Sequence, residues 1–328
     1  MTVSDHHLLD VSHLSTSFFS ERGEIRAVED VSFTIQPGQT LALVGESGCG
    51  KSVTALSIMR LLDFPGRVVG GTVTFQGRDL LALSDEDMRA IRGKHIGMVF
   101  QEPMTSLNPV FTIGDQIGEV LNLHTNMTRT AIRQAVIRLL ETVRIPSPDT
   151  RIDQYPHEMS GGMKQRVMIA MALACRPALL IADEPTTALD VTIQAQILEL
   201  LKTLQQEMGM AILLITHNLG VVAQFAQDVV VMYASRIVER AGVSTLFANP
   251  SHPYTRALLR SLPKPGMREA RLDAIQGTVP SPLMYGRGCH FATRCPEVLP
   301  PCADEEPPCV ELEPGHESVC WLHRAEQR

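Results

Sequence analysis

Gly45-Glu46-Ser47-Gly48-Cys49-Gly50-Lys51-Ser52 is the stretch that decides the fold, because it fits the phosphate-loop pattern G-x4-G-K-[ST]. It follows the apolar run 41–44, which predicts a strand leading into the loop. In a strand–loop–helix arrangement, backbone N–H groups can surround a polyphosphate. Lys51 can then reach the β- and γ-phosphate oxygens, and Ser52 can hold Mg²⁺. The sequence therefore predicts a site for a nucleoside triphosphate.

Size and composition narrow the class of protein. The chain has 328 residues, of which 44% are hydrophobic, and this predicts one large-cored main domain with an appendage. The first ten residues lack a basic segment followed by an apolar block, and no apolar run is long enough to span a membrane. We therefore expect a cytoplasmic protein. A net charge of −7 without a basic cluster argues against sequence-independent binding of nucleic acid.

The cysteines are unevenly distributed. Cys49 and Cys175 stand alone, whereas the other five of the seven fall within the last 40 residues. A disulfide framework is a poor explanation in a chain without an export signal, so a metal or cluster site is the better one. The five clustered residues are Cys289, Cys295, Cys302, Cys309 and Cys320.

Periodicity predicts the order of the main elements. Alternating residues at 31–35 and 72–75 predict antiparallel strands that flank the nucleotide core. The apolar runs 178–182 and 211–215 predict buried parallel strands. Proline density rises after about residue 245, which predicts a separate C-terminal module. Helical spacing predicts helices over 128–143, from Ser160 to Cys175, and from Asp190 or Thr192 to Met208.

Two acidic residues and a histidine follow the predicted buried strands. Asp183 and Glu184 end the first strand, at the sheet edge where open α/β folds bind ligands. Asp183 is placed to hold Mg²⁺ directly or through water, and Glu184 to polarise an attacking water. His217 follows the second strand at the same edge, so we expect it at the same site rather than in a purely structural role. Phosphoryl transfer to water needs such positioned charge and an oriented water.

These motifs resemble, in register, those of the ATP-binding subunits of ABC transporters. Residues 45–52 resemble Walker A, and 179–184 resemble Walker B followed by the catalytic glutamate. Met159 and Met163 depart from the commonest signature motif. The resemblance also pairs Gln101 with the Q-loop glutamine that senses Mg²⁺ and the transmembrane partner, Ser160, Gly161 and Gly162 with the signature, Ala188, Leu189 and Asp190 with the D-loop, His217 with the switch histidine, and Phe18 with the aromatic residue that stacks on adenine.

The resemblance implies a fold and a site. The implied fold is an α/β ABC-type P-loop NTPase, with a RecA-like core, an antiparallel β subdomain and a helical subdomain at about 102–176. This ATPase domain would cover 1–245, and a small Cys-rich module would cover 246–328. The implied catalytic residues are Glu184, His217 and Gln101, and Ser52, Gln101 and Asp183 would hold Mg²⁺. ATP would contact Phe18, Gly45, Ser47, Gly48, Gly50, Lys51, Ser52, Gln101, Asp183, Ser160, Gly161, Gly162 and Asp190.

Two longer segments, 101–109 and 250–255, resemble one branch of this superfamily, the importers of dipeptides and oligopeptides. That branch implies an ATPase subunit at the cytoplasmic face of the inner membrane, bound peripherally to two transmembrane permease subunits. It would sandwich ATP with a second ATPase subunit, a homologous but non-identical chain, and serve an extracytoplasmic solute-binding protein indirectly. Related importers carry nickel chelates, glutathione or opines, so these solutes stay alternatives.

A soluble ABC-type ATPase acting on ribosomes or DNA is a rival from another class. Such proteins usually carry two ATPase domains or a long coiled-coil insertion, and the sequence shows neither. We therefore expect no nucleic-acid partner.

Four cysteines extend the resemblance. Cys289, Cys295, Cys302 and Cys320 are similar to the ligands of a [4Fe–4S] cluster in some of these subunits, whereas Cys309 matches no ligand position. Four thiolates can also hold Zn²⁺, and unliganded structural thiols are a third alternative. We expect the cluster, with the role of fastening a proline-rich segment that has few apolar residues of its own.

Overall fold

The computed structural model describes residues 7–21, 23–102, 106–187, 189–262 and 275–324. Ala188 of the predicted D-loop and residues 103–105 of the predicted Q-loop segment lie outside the described residues. The strands are β1 (Leu9–Ser20), β2 (Gly23–Ile35), β3 (Thr40–Val44), β4 (Gly66–Phe75), β5 (Arg78–Asp79), β6 (Ile96–Val99), β7 (Leu179–Asp183), β8 (Ala211–Thr216), β9 (Asp228–Tyr233), β10 (Arg236–Gly242), β11 (Cys309–Glu313) and β12 (His316–Val319).

The α-helices alternate with many of these strands. They are α1 (Lys51–Ile58), α2 (Asp85–Ile91), α3 (Ile113–His124), α4 (Arg129–Thr142), α5 (Pro148–Arg151), α6 (Gly161–Leu173), α7 (Val191–Met208), α8 (Leu219–Phe225), α9 (Val243–Ala248) and α10 (Pro253–Arg260). The described chain divides into two compact units. The first consists mainly of residues 82–215, and the second of 9–34, 40–81 and the residues from 216 onward.

The first unit contains three parallel strands in the order β6, β7, β8. Every residue of β7 and β8 is buried, as expected for parallel strands covered on both faces. Ile96 pairs with Leu179, and Leu179 pairs with Ala211, so the carboxyl ends of the strands share one edge. This register places the residues directly after β6 beside the residues directly after β7.

Several helices of the first unit begin at side-chain caps. Thr112 and Asp115 form a reciprocal capping box at the start of α3, and the Thr128 hydroxyl accepts the Ala131 N–H at the start of α4. Helices α3, α4 and α6 pack on one another through buried faces, and α6 also packs on β6. These helices lie within the range predicted for the helical subdomain, whose boundaries stay a prediction.

The second unit contains an antiparallel sheet in the order β2, β1, β4, β5, in which Leu9 pairs with Phe75. This arrangement confirms that the alternating segments form antiparallel strands. A further group of strands runs in the order β11, β12, β10, β9, β3, where only β3 and β9 are parallel. Tyr254 and Phe291 are buried in the same core cluster as Val44 of β3 and Val231 of β9. The segment after residue 245 thus packs against the strand that leads into the phosphate loop.

Candidate nucleotide site

The phosphate loop joins the buried strand β3 to helix α1 in the second unit. Gly45, Gly48 and Gly50 have φ values of 153°, 79° and 105°, in the left-handed region that favours glycine. A Cβ on Gly45 would collide with the carbonyl oxygen of Met232, and a Cβ on Gly50 with that of Ala27. Two of the three glycines are therefore required both by backbone conformation and by close packing against neighbouring strands.

Lys51 lies inside this loop. Its side chain is buried, and its ammonium donates to the carbonyl oxygens of Gly45 at 2.9 Å and Glu46 at 3.0 Å. A phosphate oxygen bound in the loop could accept hydrogen bonds from the same ammonium, because an ammonium has three donors and rotates freely. Ser52 follows in the first turn of α1 and is half-buried, and Ser47 of the loop is exposed.

Phe18 lies on β1 in the same unit. This strand is tied to α1 by a 2.8 Å hydrogen bond between the buried hydroxyls of Thr16 and Ser57. The half-buried Phe18 ring packs where a Cβ of Gly66 would otherwise stand, whereas the neighbouring Phe19 ring lies 4.1 Å from the guanidinium of Arg67. The role of Phe18 in stacking on adenine stays a prediction.

The acidic pair lies at the end of β7 in the first unit. Asp183 is buried, and Glu184 adopts a left-handed backbone with φ of 45° while its N–H donates to the carbonyl of Ile215 at 2.9 Å. Such a conformation is costly for a residue with a side chain, and it is typical of functional sites. Gln101 Nε2, just beyond β6, donates to Glu184 Oε2 at 3.1 Å. The structure thus brings together two of the three predicted catalytic residues.

Sequence reasoning missed a third member of this group. The Thr187 hydroxyl donates to the same Glu184 Oε2 at 2.7 Å. Thr187 lies three residues after the glutamate, in the turn between β7 and α7. This spacing could have predicted the contact, because a threonine in a turn can direct its hydroxyl toward the first residue of the turn.

The predicted signature lies at the start of α6. Ser160 caps this helix by accepting the Met163 N–H at 3.4 Å, and both Ser160 and Gly161 are exposed. Asp190 is the exposed N-cap residue of α7. The signature adjoins the start of that helix, because a Cβ on Gly162 would lie 3.0 Å from the Ile193 side chain. His217 is exposed after β8, in the second unit.

The four predicted cluster cysteines lie near one another in the second unit. Burial, together with the charges of Cys302, Cys320 and Cys295, raises the pKa of Cys289 to about 11. Burial likewise raises the pKa of Cys320 to about 11, with contributions from Cys295 and Cys302. Cys309 lies on β11 with part of its surface exposed, and partial desolvation of its thiol, followed by the charge of Glu317, raises its pKa without a contribution from other thiols.

Backbone N–H groups point at all four of these sulfurs. Glu297 donates to Cys295 Sγ and Leu299 to Cys302 Sγ, each at 3.4 Å. The amides of Phe291 and Leu322 donate to Cys289 and Cys320. Over the described ranges, however, no group of three or more His, Cys, Asp or Glu side chains is arranged to hold a metal ion. A metal centre is therefore not shown by the structure.

Comparison with known proteins settles the family. The model of the ABC transporter family matches residues 28–187, and that of the oligopeptide/dipeptide transporter C-terminal region matches 238–302. The probable peptide ABC transporter ATP-binding protein y4tR of Sinorhizobium fredii is 54% identical over 319 residues, covering 96% of this chain and 94% of that protein. The chain belongs to the ABC transporter family. The family and the ATPase fold expected from the motifs are thus confirmed.

Other members of the ABC transporter family resemble the chain over most of its length. The dipeptide transport ATP-binding protein DppD of Escherichia coli is 49% identical over 313 residues, covering 95% of this chain and 96% of that protein. Among solved structures, the dimeric ATP-binding cassette MJ0796 bound to ADP and Pi superposes with a TM-score of 0.65 at 26% identity, covering 72% of this chain and 98% of that one.

A second solved structure is similar. CbiO1 of Clostridium perfringens, part of the ABC transporter complex cbiONQ, gives a TM-score of 0.63 at 26% identity and covers 75% of this chain and 92% of that one. Within the part of the chain that the structure describes, no helix has the length and apolar character needed to cross a membrane.

Proposed function

We propose that this chain hydrolyses ATP to power an importer of dipeptides or oligopeptides. The observation that carries ATP hydrolysis is the Glu184 carboxylate, held at the end of a buried strand by Gln101 and Thr187. The match to the oligopeptide/dipeptide transporter C-terminal region, and relatives named as peptide and dipeptide transport proteins, support the peptide substrate.

Each part of the site has a role in this proposal. The loop N–H groups and Lys51 bind the β- and γ-phosphates, Phe18 stacks on adenine, and Glu184 orients and polarises the attacking water. His217 and Gln101 contact the γ-phosphate region. Ser52, Gln101 and Asp183 would hold Mg²⁺, whose oxygen-ligand preference suits a hydroxyl, an amide and a carboxylate. The ion would neutralise phosphate charge.

Two ATPase subunits would enclose the nucleotide. Ser160, Gly161 and Asp190 are exposed at helix starts, so they are available to a facing subunit. The serine hydroxyl and the N-terminal amides of α6 offer donors to a γ-phosphate on that subunit. The dimeric state of MJ0796 supports this arrangement. We propose that the second subunit is a homologous, non-identical chain.

The membrane partners follow from the same role. Two permease subunits would bind the chain at the cytoplasmic face of the inner membrane, and the helical subdomain at about 102–176 would transmit closure of the dimer to them. A solute-binding protein outside the membrane would act on the chain only through the permeases.

The four cysteines fit a [4Fe–4S] cluster by their chemistry. All four donors are thiols, and each sulfur accepts a backbone N–H, as thiolates that bind iron commonly do. Cys289, Cys295, Cys302 and Cys320 would hold the cluster, and zinc is the alternative. When bound, the group would cross-link the segments that carry these residues.

Substitution of the proposed catalytic base tests hydrolysis. In the transporter reconstituted in lipid with its partners, Glu184→Gln should bind ATP as tightly as the wild type while steady-state hydrolysis falls by about a thousandfold. Glu207→Gln, an exposed change on α7, is the matched control and should hydrolyse normally. Retained turnover in Glu184→Gln would remove this residue as the base.

The peptide substrate needs its own test. ATP hydrolysis by the reconstituted transporter should rise when the solute-binding protein is loaded with a dipeptide or an oligopeptide. Stimulation only by a nickel chelate, glutathione or an opine would assign the chain to a related importer instead.

A further inference from the structure

The second residue of the phosphate loop is bound by a residue from the far end of the chain. The Arg294 guanidinium forms a two-point ion pair with the Glu46 carboxylate, with Nη1 to Oε2 at 2.7 Å and Nη2 to Oε1 at 3.2 Å. Both residues belong to the second unit. The Arg294 side chain is only 5% exposed, so solvent screens this pair weakly.

Arg294 is itself held in place by several acceptors. Its Nη1 donates to Tyr233 Oη at 3.2 Å, its Nε to the Gln276 carbonyl at 2.9 Å, and its Nη2 to the Ile275 carbonyl at 3.3 Å. The guanidinium lies 5.7 Å from the ring centroid of Tyr233 and 5.9 Å from that of Phe291. A planar group with this many contacts has little freedom to follow the loop if the loop moves.

The backbone of Glu46 is held by the same region. Its N–H donates to Tyr254 Oη at 2.9 Å, and Tyr254 is fully buried. Burial raises the pKa of Tyr254, so its hydroxyl stays neutral and can accept this bond at any physiological pH. Two side chains from the segment after residue 250 thus bind Glu46, Arg294 at its carboxylate and Tyr254 at its N–H, while Lys51 donates to its carbonyl.

The ion pair also compensates the negative charge of Glu46, which would otherwise repel a phosphate bound in the loop. A carboxylate in a phosphate-binding loop opposes an anionic ligand unless a cation compensates it. The Arg294 guanidinium supplies that cation by binding the Glu46 carboxylate, whereas the Lys51 ammonium binds backbone carbonyls of the loop.

We propose that Arg294 is a positioning residue for nucleotide binding, which fixes and neutralises Glu46 so that the phosphate loop keeps its shape for the triphosphate. This inference rests on the proposed ATPase function and adds to it a dependence of the ATP site on the C-terminal segment.

The test measures ATP affinity and turnover separately in the reconstituted transporter. Arg294→Gln should raise KM for ATP by roughly tenfold and change kcat by less than about twofold, because it affects binding of the triphosphate and not the water-activating group. The double variant Glu46→Gln/Arg294→Gln also removes the carboxylate that Arg294→Gln leaves uncompensated. Its KM for ATP should therefore be at most about threefold above that of the wild type. Arg287→Gln, an exposed change in the same segment, should leave KM unchanged.

The outcomes separate this inference from the proposed function. Wild-type protein that fails to bind ATP, in an assay where Lys51→Ala serves as the non-binding reference, would overturn the function itself. An unchanged KM in Arg294→Gln, or an equal rise in Arg287→Gln, would overturn the role of Arg294 alone. If Arg294→Gln does not fold, Arg294→Lys decides, because it keeps the charge but loses the two-point geometry. Its KM should lie above that of the wild type, and an unchanged value would overturn the proposal.

Discussion

Glu184 Oε2 accepts two hydrogen bonds, one from Gln101 Nε2 at 3.1 Å and one from the Thr187 hydroxyl at 2.7 Å. Gln101 follows β6 and Thr187 follows β7, so the carboxylate is oriented by donors from two neighbouring strand ends. A general base whose side chain is held in one rotamer needs less reorganisation when it acts on water.

Thr187→Val removes one of these donors without changing the shape of the side chain. We expect kcat for ATP hydrolysis to fall by roughly tenfold, with KM for ATP nearly unchanged, since a hydrogen bond to a charged group is lost at the reacting end only. Steady-state kinetics of the reconstituted transporter would measure both constants. Thr203→Val, on α7 away from this group, is the control, and an equal loss in both variants would argue against a role for Thr187.

Two glycines of the phosphate loop should differ in their tolerance of alanine. Gly48→Ala places a Cβ in open space and incurs only left-handed strain, about 1 kcal/mol of unfolding free energy. Gly50→Ala incurs the same strain and also collides with the Ala27 carbonyl, so we expect a loss of at least about 3 kcal/mol. Denaturant unfolding of the nucleotide-free chain would compare them, and equal losses would contradict the packing seen around Gly50.

His252 should make the fold sensitive to acid. Burial, with His323 and Arg256 nearby, lowers the pKa of this histidine from 6.5 to about 3. At pH values between these two pKa values, the histidine is protonated in the unfolded chain but not in the folded chain. The unfolding free energy is therefore highest above pH 6.5 and decreases progressively as pH falls. At about pH 5.5 the loss in unfolding free energy should be about 1–2 kcal/mol.

His252→Asn tests this pH dependence while keeping the helix cap. His252 Nδ1 accepts the Tyr254 N–H at 3.0 Å, and an asparagine side chain can replace that acceptor. Thermal unfolding at about pH 7.5 and about pH 5.5 should show a smaller acid-induced loss in this variant than in the wild type. His157→Asn, at an exposed position, should behave like the wild type. The same acid-induced loss in all three proteins would rule out His252 as the source.

If the proposed cluster is present, substitutions of Cys302 and Cys309 should differ in their effect on metal content. Cys302 is buried near the other three thiols, whereas Cys309 is exposed on β11. Protein purified without oxygen should contain iron, sulfide and visible absorption that Cys302→Ser removes and Cys309→Ser retains. Zinc in place of iron, lost in the same pattern, would favour the alternative metal. Absence of any metal from the wild type would leave the thiols as unliganded structural residues and refute the cluster.

Local sequence was sufficient to predict the phosphate loop and the acidic strand end. The loop is formed within eight consecutive residues, where glycine conformations and the reach of Lys51 depend on nearest neighbours along the chain. The continuous apolar runs of β7 and β8 could likewise be recognised, because strands buried on both faces need no polar alternation.

The contacts between distant segments could not be predicted in this way. Arg294 and Glu46 are 248 residues apart, and Tyr254 and Glu46 are 208 apart. No periodicity or spacing relates such pairs, since they meet only where the C-terminal segment packs into the core beside β3 and β9. The sequence by itself therefore determined the family and the phosphate-loop motif, and it predicted the residues of the proposed nucleotide site. Only the tertiary structure decided which distant side chains hold the phosphate loop, because burial in a shared core, rather than order along the chain, brings them into contact.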